Sequence, residues 1–146
     1  MSSGTLFRPL QLILVTALSL ASIFSVEILS IDKWLWSVSP QHAFGLILFM
    51  IIDIILVLAI LRRIRLAATG ALIISLIQLS AMLTDVFGGA PPGTPQNTFM
   101  TYLLTNAAFD ALLIVQGIIF GAAALRVTRY YPRKFTPPVS QQAPAT

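Results

Sequence analysis

His42 to Arg65 reads HAFGLILFMIIDIILVLAILRRIR. Roughly twenty apolar residues in succession are enough helix to cross a hydrocarbon core about 30 Å thick. A single carboxylate, Asp53, interrupts the run about 11 residues from either end, which puts it near the bilayer midplane at a rise of about 1.5 Å per residue. Three arginines, Arg62, Arg63 and Arg65, stop the segment. The rest of the chain is organised around this stretch.

Three more hydrophobic runs flank it, and the four predicted spans cover about 10–31, 41–61, 66–87 and 99–125. Residues 1–9 form a polar head with Pro9 suited to a first helical turn. Its cation, apolar run and small residues also fit a signal peptide, but the run is long for one and reads as a retained span. The link from Arg62 to the third span is tight, so the second and third spans are expected as antiparallel neighbours. GGAPPGTPQNT, from Gly88 to Thr98, is too rich in Gly and Pro to continue a helix and reads as the one long loop. Residues 127–146 are a basic and then Pro/Gln-rich tail. The predicted fold class is all-α integral membrane: residues 10–126 as four transmembrane helices in an up-down-up-down bundle.

Composition agrees with that class. Of the 146 residues, 57% are hydrophobic and 10% charged, against about 25% charged in a typical soluble domain. Net charge is +4, but the cations sit beside the spans, so they read as orientation signals and lipid contacts rather than a nucleic-acid surface. Arg8, Arg62, Arg63, Arg65, Arg126, Arg129, Arg133 and Lys134 fall on one side and Lys33 on the other. The positive-inside rule then predicts a multi-pass protein of the cell membrane with both termini cytoplasmic. Trp34 and Trp36 fit the aromatic belt of the opposite interface, so the expected membrane anchors are Trp34, Trp36, Arg62, Arg63, Arg65 and Arg126.

There is no cysteine and only one histidine, His42, which removes thiol chemistry and bis-histidine haem ligation within one chain. No nucleophile motif, phosphate loop, zinc signature or calcium loop occurs. The expectation is a chain that is not an enzyme and carries no cofactor.

The polar residues within the spans need explaining. An ionised Asp at a helix centre costs roughly 2.5–3.5 kcal/mol on insertion scales, and no Lys or Arg lies at the depth of Asp53. Asp53 must therefore be protonated, hydrogen-bonded, cation-bound, or paired with another protein. The bland alternative is a neutral helix–helix hydrogen bond. Gln78 lies at similar depth in the third span and is placed to reach Asp53, while Gln116 is equally deep in the fourth. Asp110 shares a helical face with Gly117 and Gly121, a G-x-x-x-G pattern that permits close helix packing within the chain or between chains. Asp53, Asp110 and Gln78 are the candidates for proton, ion or partner contact. Glu27 and Asp85 lie near the boundary opposite the arginines. With His42 they are candidates for a metal site or proton relay, although ordinary interfacial residues look the same in sequence. Shifts of 57 and 58 residues align Asp53 with Asp110 and Glu27 with Asp85, which suggests a duplicated hairpin.

Small size, short loops and acids without in-chain cations point first to an accessory subunit of a larger membrane complex, such as a respiratory or oxidase-like assembly. Partners are then the bilayer and other membrane subunits or a second copy, with no nucleic acid. The alternative is a small dimeric proton- or cation-coupled transporter using its intramembrane carboxylates. Four-helix multidrug transporters offer a fold-level analogy, from which this chain departs because its first span lacks a central acid. A membrane enzyme or metal site built on His42 and the carboxylates is the third reading.

Overall fold

A computed structural model describes residues 7–130 of the chain and side chains from Pro9 to Arg129. Residues 1–6 of the expected head and 131–146 of the expected tail, with the cations Arg133 and Lys134, lie outside the described residues, as does the side chain of Arg8; residues 7–9 begin the first helix and 127–130 end the last. The described residues form helices α1 (Phe7–Ile31), α2 (Lys33–Val38), α3 (Pro40–Leu61), α4 (Ala67–Phe87), α5 (Gln96–Thr105) and α6 (Ala107–Tyr130). Four are long and apolar enough to cross a membrane, over Pro9–Ile31, Pro40–Leu61, Ala67–Phe87 and Ala107–Arg129.

These four pack as a ring in which successive spans are neighbours and α6 closes back on α1. The seams α1–α6, α1–α3 and α4–α6 are close, and α3–α4 is the loosest. The buried stripes explain the close seams. On α1, Leu14, Ala17, Leu18, Ala21, Ser25 and Ile28 recur at helical spacing; on α4, Ala71, Ser75, Gln78, Met82 and Val86 do so. Ala17, Ala21, Ser25, Ala71 and Ser75 alternate with larger residues in these stripes and permit close backbone approach, which helps spans associate where lipid tails are as apolar as Leu. Many other large apolar side chains face outward, among them Leu48, Ile51 and Ile55 on α3 and Ile114 and Ile118 on α6.

Each connection has a local cause. Helix α3 ends in a Schellman motif: Arg63 adopts φ 57°, its N–H donates to Ile60 O at 3.0 Å, and Ile64 N–H donates to Ala59 O at 3.0 Å. At the same end, the Gln11 amide of α1 donates to the same Ile60 carbonyl at 3.1 Å, tying α1 to the end of α3. At the opposite end, the Asp32 carboxylate caps α2 by accepting from Leu35 N–H at 2.9 Å.

Two elements differ from expectation. The segment 99–125 is not one helix. The chain breaks at Asn106, whose backbone is extended and whose Oδ1 accepts from Ala108 N–H at 3.1 Å and Phe109 N–H at 3.3 Å. This is an N-cap, so the fourth span starts at Ala107 and runs on to Arg129. The residues before it form the separate helix α5, whose Phe99 and Leu103 are buried while Thr98, Thr101 and Thr105 are exposed. Trp34 also departs from a simple belt position. It is half-buried and its ring lies 4.3 Å from that of Tyr102 on α5. Trp36 remains 40% exposed, and its indole N–H donates to Leu29 O at 2.9 Å.

Candidate functional site

Asp53 shares a stripe with Leu56 and Ile60, the buried face of α3, so its carboxylate is carried into the bundle interior and is 1% exposed. Across the loose α3–α4 seam stands Gln78, 3% exposed, with Nε2 at 3.4 Å from both carboxylate oxygens. Gln116 of α6, 2% exposed, lies beside the same carboxylate. No Lys, Arg or His among the described residues pairs with Asp53. Both glutamines leave their carbonyl oxygens, Gln78 Oε1 and Gln116 Oε1, buried without a hydrogen-bond partner. Such oxygens are costly in a low-dielectric interior unless something fills the gap.

A cavity of about 240 Å³ opens at the His42 end of the bundle. Its walls are mostly apolar, with Phe99 and Tyr102 from α5 closing one side, and its polar groups include Asp32, His42, Asp85 and Asn106. Phe49 and Met82 also line it. Each lies one turn, about 6 Å of helix, from Asp53 and Gln78 respectively. The cavity thus descends along the loosest seam towards the buried carboxylate.

His42 braces the mouth of this cavity. Its Nε2 is 2.9 Å from Asp85 Oδ1, and its Nδ1 hydrogen-bonds the Ser39 hydroxyl. With Nε2–H donating to Asp85, Nδ1 is free to accept from Ser39. The result is a Ser–His–Asp chain, but with the partners exchanged relative to a hydrolase triad, where the nucleophile sits at Nε2 and the acid at Nδ1. Ser39 is also buried, in the turn that starts α3. Its geometry suits orienting His42 and joining the start of α3 to the end of α4. Asp85 is held in turn by its surroundings. The Gln96 amide donates to Asp85 O at 3.1 Å and Val86 O at 2.8 Å, while its Oε1 accepts from Ala90 N–H at 2.9 Å.

The other sequence candidates lie apart. Glu27 is exposed and lines an adjoining groove that shares Asp32, Tyr102 and Asn106 with the cavity but includes neither His42 nor Asp85. Among the described residues no group of three His or acidic side chains is placed to hold a metal ion. Asp110 falls in the first turn of α6, half-buried, where its charge favours the helix N-terminus. It therefore lies at the end of its span while Asp53 lies in the middle, and the proposed duplication does not match in depth. Gly117 is exposed, and a Cβ built on Gly117 or Gly121 would meet nothing within 4 Å. The G-x-x-x-G pattern does not mediate packing within this chain. Arg126 is half-buried at the other end, with Nη1 lacking a partner among the described residues.

Two site residues were not singled out from sequence. Gln116 was placed at the right depth but not paired with Asp53, because depth says nothing about helix rotation. Ser39 was missed altogether; its signal was its place directly before Pro40, where a helix start collects capping residues.

The fold and its interior define the class: an all-helical, polytopic membrane protein with a polar cluster at mid-bundle. Comparison of the chain with protein-family models, characterised proteins and solved structures finds no match.

Proposed function

We propose that this chain is a small ion-handling membrane protein, a proton- or cation-coupled transporter in which Asp53 is the exchange carboxylate. The observation that carries this reading is the placement of Asp53, fully buried without a cationic partner among the described residues and one helical turn below a cavity open at the His42 end. Intramembrane acids that line such paths are the usual carriers of protons and ions. An accessory-subunit role rested on acids that needed partner cations. Asp53 and Asp85 instead face inward onto Gln78 and His42, which lowers the weight of that argument.

With the arginine end cytoplasmic, as the cation count predicts, the cavity faces outward. Glu27, Asp32, Asp85 and Asp110 outnumber Lys33 at that end and would raise the local concentration of cations. His42 and Asp85 would relay ions or protons at the entrance, and no covalent chemistry is required of the chain.

The test is ion flux in proteoliposomes, followed with a pH-sensitive dye and radioactive sodium. Asp53→Asn is expected to reduce flux to background, and His42→Ala to slow it without abolishing it. Unchanged flux and proton release in Asp53→Asn would remove the proposal.

A second reading, assembly with another membrane subunit or a second copy, is favoured by the outward glycines of α6, which leave a close-approach face unused within the chain. Native mass spectrometry after mild extraction separates a lone monomer from a fixed assembly. Gly117→Leu is expected to weaken the assembly and leave the bundle intact.

A further inference from the structure

The interior cluster holds more oxygen than a proton needs. A protonated Asp53 has one hydrogen to donate, and one acceptor satisfies it. Around this carboxylate stand two glutamines, both at least nine-tenths buried, and each leaves a carbonyl oxygen without a partner. One proton can serve only one of those oxygens; a metal cation beside the carboxylate would take both as ligands once the Gln78 amide, whose nitrogen faces Asp53, is turned.

The spacing also favours a cation. The Gln78 amide sits 3.4 Å from both Asp53 oxygens, beyond the usual 2.7–3.2 Å of an N–H···O bond. Hard cations take oxygen ligands at about 2.4 Å, and adjacent corners of an octahedron of that radius are about 3.4 Å apart. A half-turn of the Gln78 amide exchanges its nitrogen for its carbonyl oxygen in nearly the same place. The turn exchanges one unpartnered group for another at the vacated spot, so it costs little by itself, and a bound ion would decide the orientation.

Charge fixes the valence. One carboxylate neutralises one positive charge, and no second acid lies at this depth in any span. A divalent ion would leave an uncompensated charge in a low-dielectric interior. A larger monovalent ion needs wider spacing than the amide and carboxylate provide.

We propose that Asp53, Gln78 and Gln116 form a binding site for a dehydrated monovalent cation of sodium's size. The inference rests on the reading of Asp53 as the exchange carboxylate and names the ion exchanged there. Asp53 supplies the charge, and the two glutamine carbonyls from α4 and α6 supply the neutral ligands. Binding would draw three helices together across the loosest seam of the bundle.

The experiment is sodium binding to the purified full chain in detergent at mildly alkaline pH. It uses radioactive sodium together with thermal unfolding in sodium, lithium, potassium and choline chlorides. Saturable sodium binding is expected, with a raised Tm in sodium and lithium and none in potassium or choline. Asp53→Asn should abolish it. Gln78→Leu and Gln116→Leu should each weaken it about tenfold, the cost of one lost buried polar ligand. The salt series needs no variant, so it decides the matter even if a substituted chain does not fold. Potassium acting as well as sodium, or no cation effect at all, overturns the sodium site. If protons are then still released from wild type and not from Asp53→Asn, the exchange reading survives with the proton as its ion. If neither sodium nor protons respond to Asp53, both fail together.

Discussion

Asp85 shows how much a single residue can depend on its neighbours. Its carboxylate meets His42, its carbonyl accepts from Gln96, and Gly89 folds back onto it so closely that a Cβ there would lie 2.7 Å from both Asp85 Cα and Oδ1. Backbone cannot yield as a flexible side chain can. Gly89→Ala is therefore expected to destabilise the chain by about 1–3 kcal/mol, the usual cost of overpacking. It should also displace Asp85 from His42. Thermal unfolding in detergent checks the first effect, with Gly88→Ala as the control, because a Cβ at Gly88 meets nothing within 4 Å. An equal Tm for the two variants would contradict the packing argument. At this scale the sequence was informative about Asp53, whose depth follows from counting residues along a helix. It marked the depth of Gln116 but not its partner, which another helix brings to it, and it left Ser39 only the faint signal of its place before Pro40.

At the scale of elements, the boundary of the fourth span is the instructive case. Hydropathy runs almost unbroken from Phe99 into the fourth span, so a span beginning near Phe99 was the natural reading. The break lies at Asn106, whose side chain competes with the helix for its own backbone N–H groups and wins by capping α6. Asn106→Ala is expected to cost about 1 kcal/mol, the common value for a lost N-cap, and Asn106→Asp to keep the stability. Unfolding midpoints of the two variants check this; an unchanged Asn106→Ala would mean that packing of α5, not the cap, sets the break. The signal was present in the sequence as Asn followed by Asp110 in the first turn. It was outweighed because a hydropathy window averages over a single polar residue. The break matters for the site. It lets α5 turn Phe99 and Tyr102 onto the cavity beside His42.

For the whole molecule, the orientation of the bundle remains a matter of charge. The absence of cysteine makes it directly measurable, since any introduced thiol is the only one. Ser37→Cys, exposed near the end of α2, is expected to react in intact cells with a membrane-impermeant maleimide. A cysteine at Ile64, exposed in the arginine turn, should react only after lysis. The reverse pattern would invert the bundle and turn the cavity to the cytoplasm.

The sequence by itself determined the class, the number of spans, and the mid-span depth of Asp53, Gln78 and Gln116. Those properties depend on length and hydropathy, and both are local to each segment. Only the tertiary structure decided which polar groups meet. Asp53 beside Gln78 and Gln116, and His42 with Asp85, are set by the rotation of each helix about its own axis, whereas Ser39 meets His42 locally, three residues along the same helix start. That rotation follows from close packing of the faces that carry Ala and Ser against one another. In a span where nearly every side chain is apolar, the hydropathy pattern barely distinguishes the inward face from the outward one.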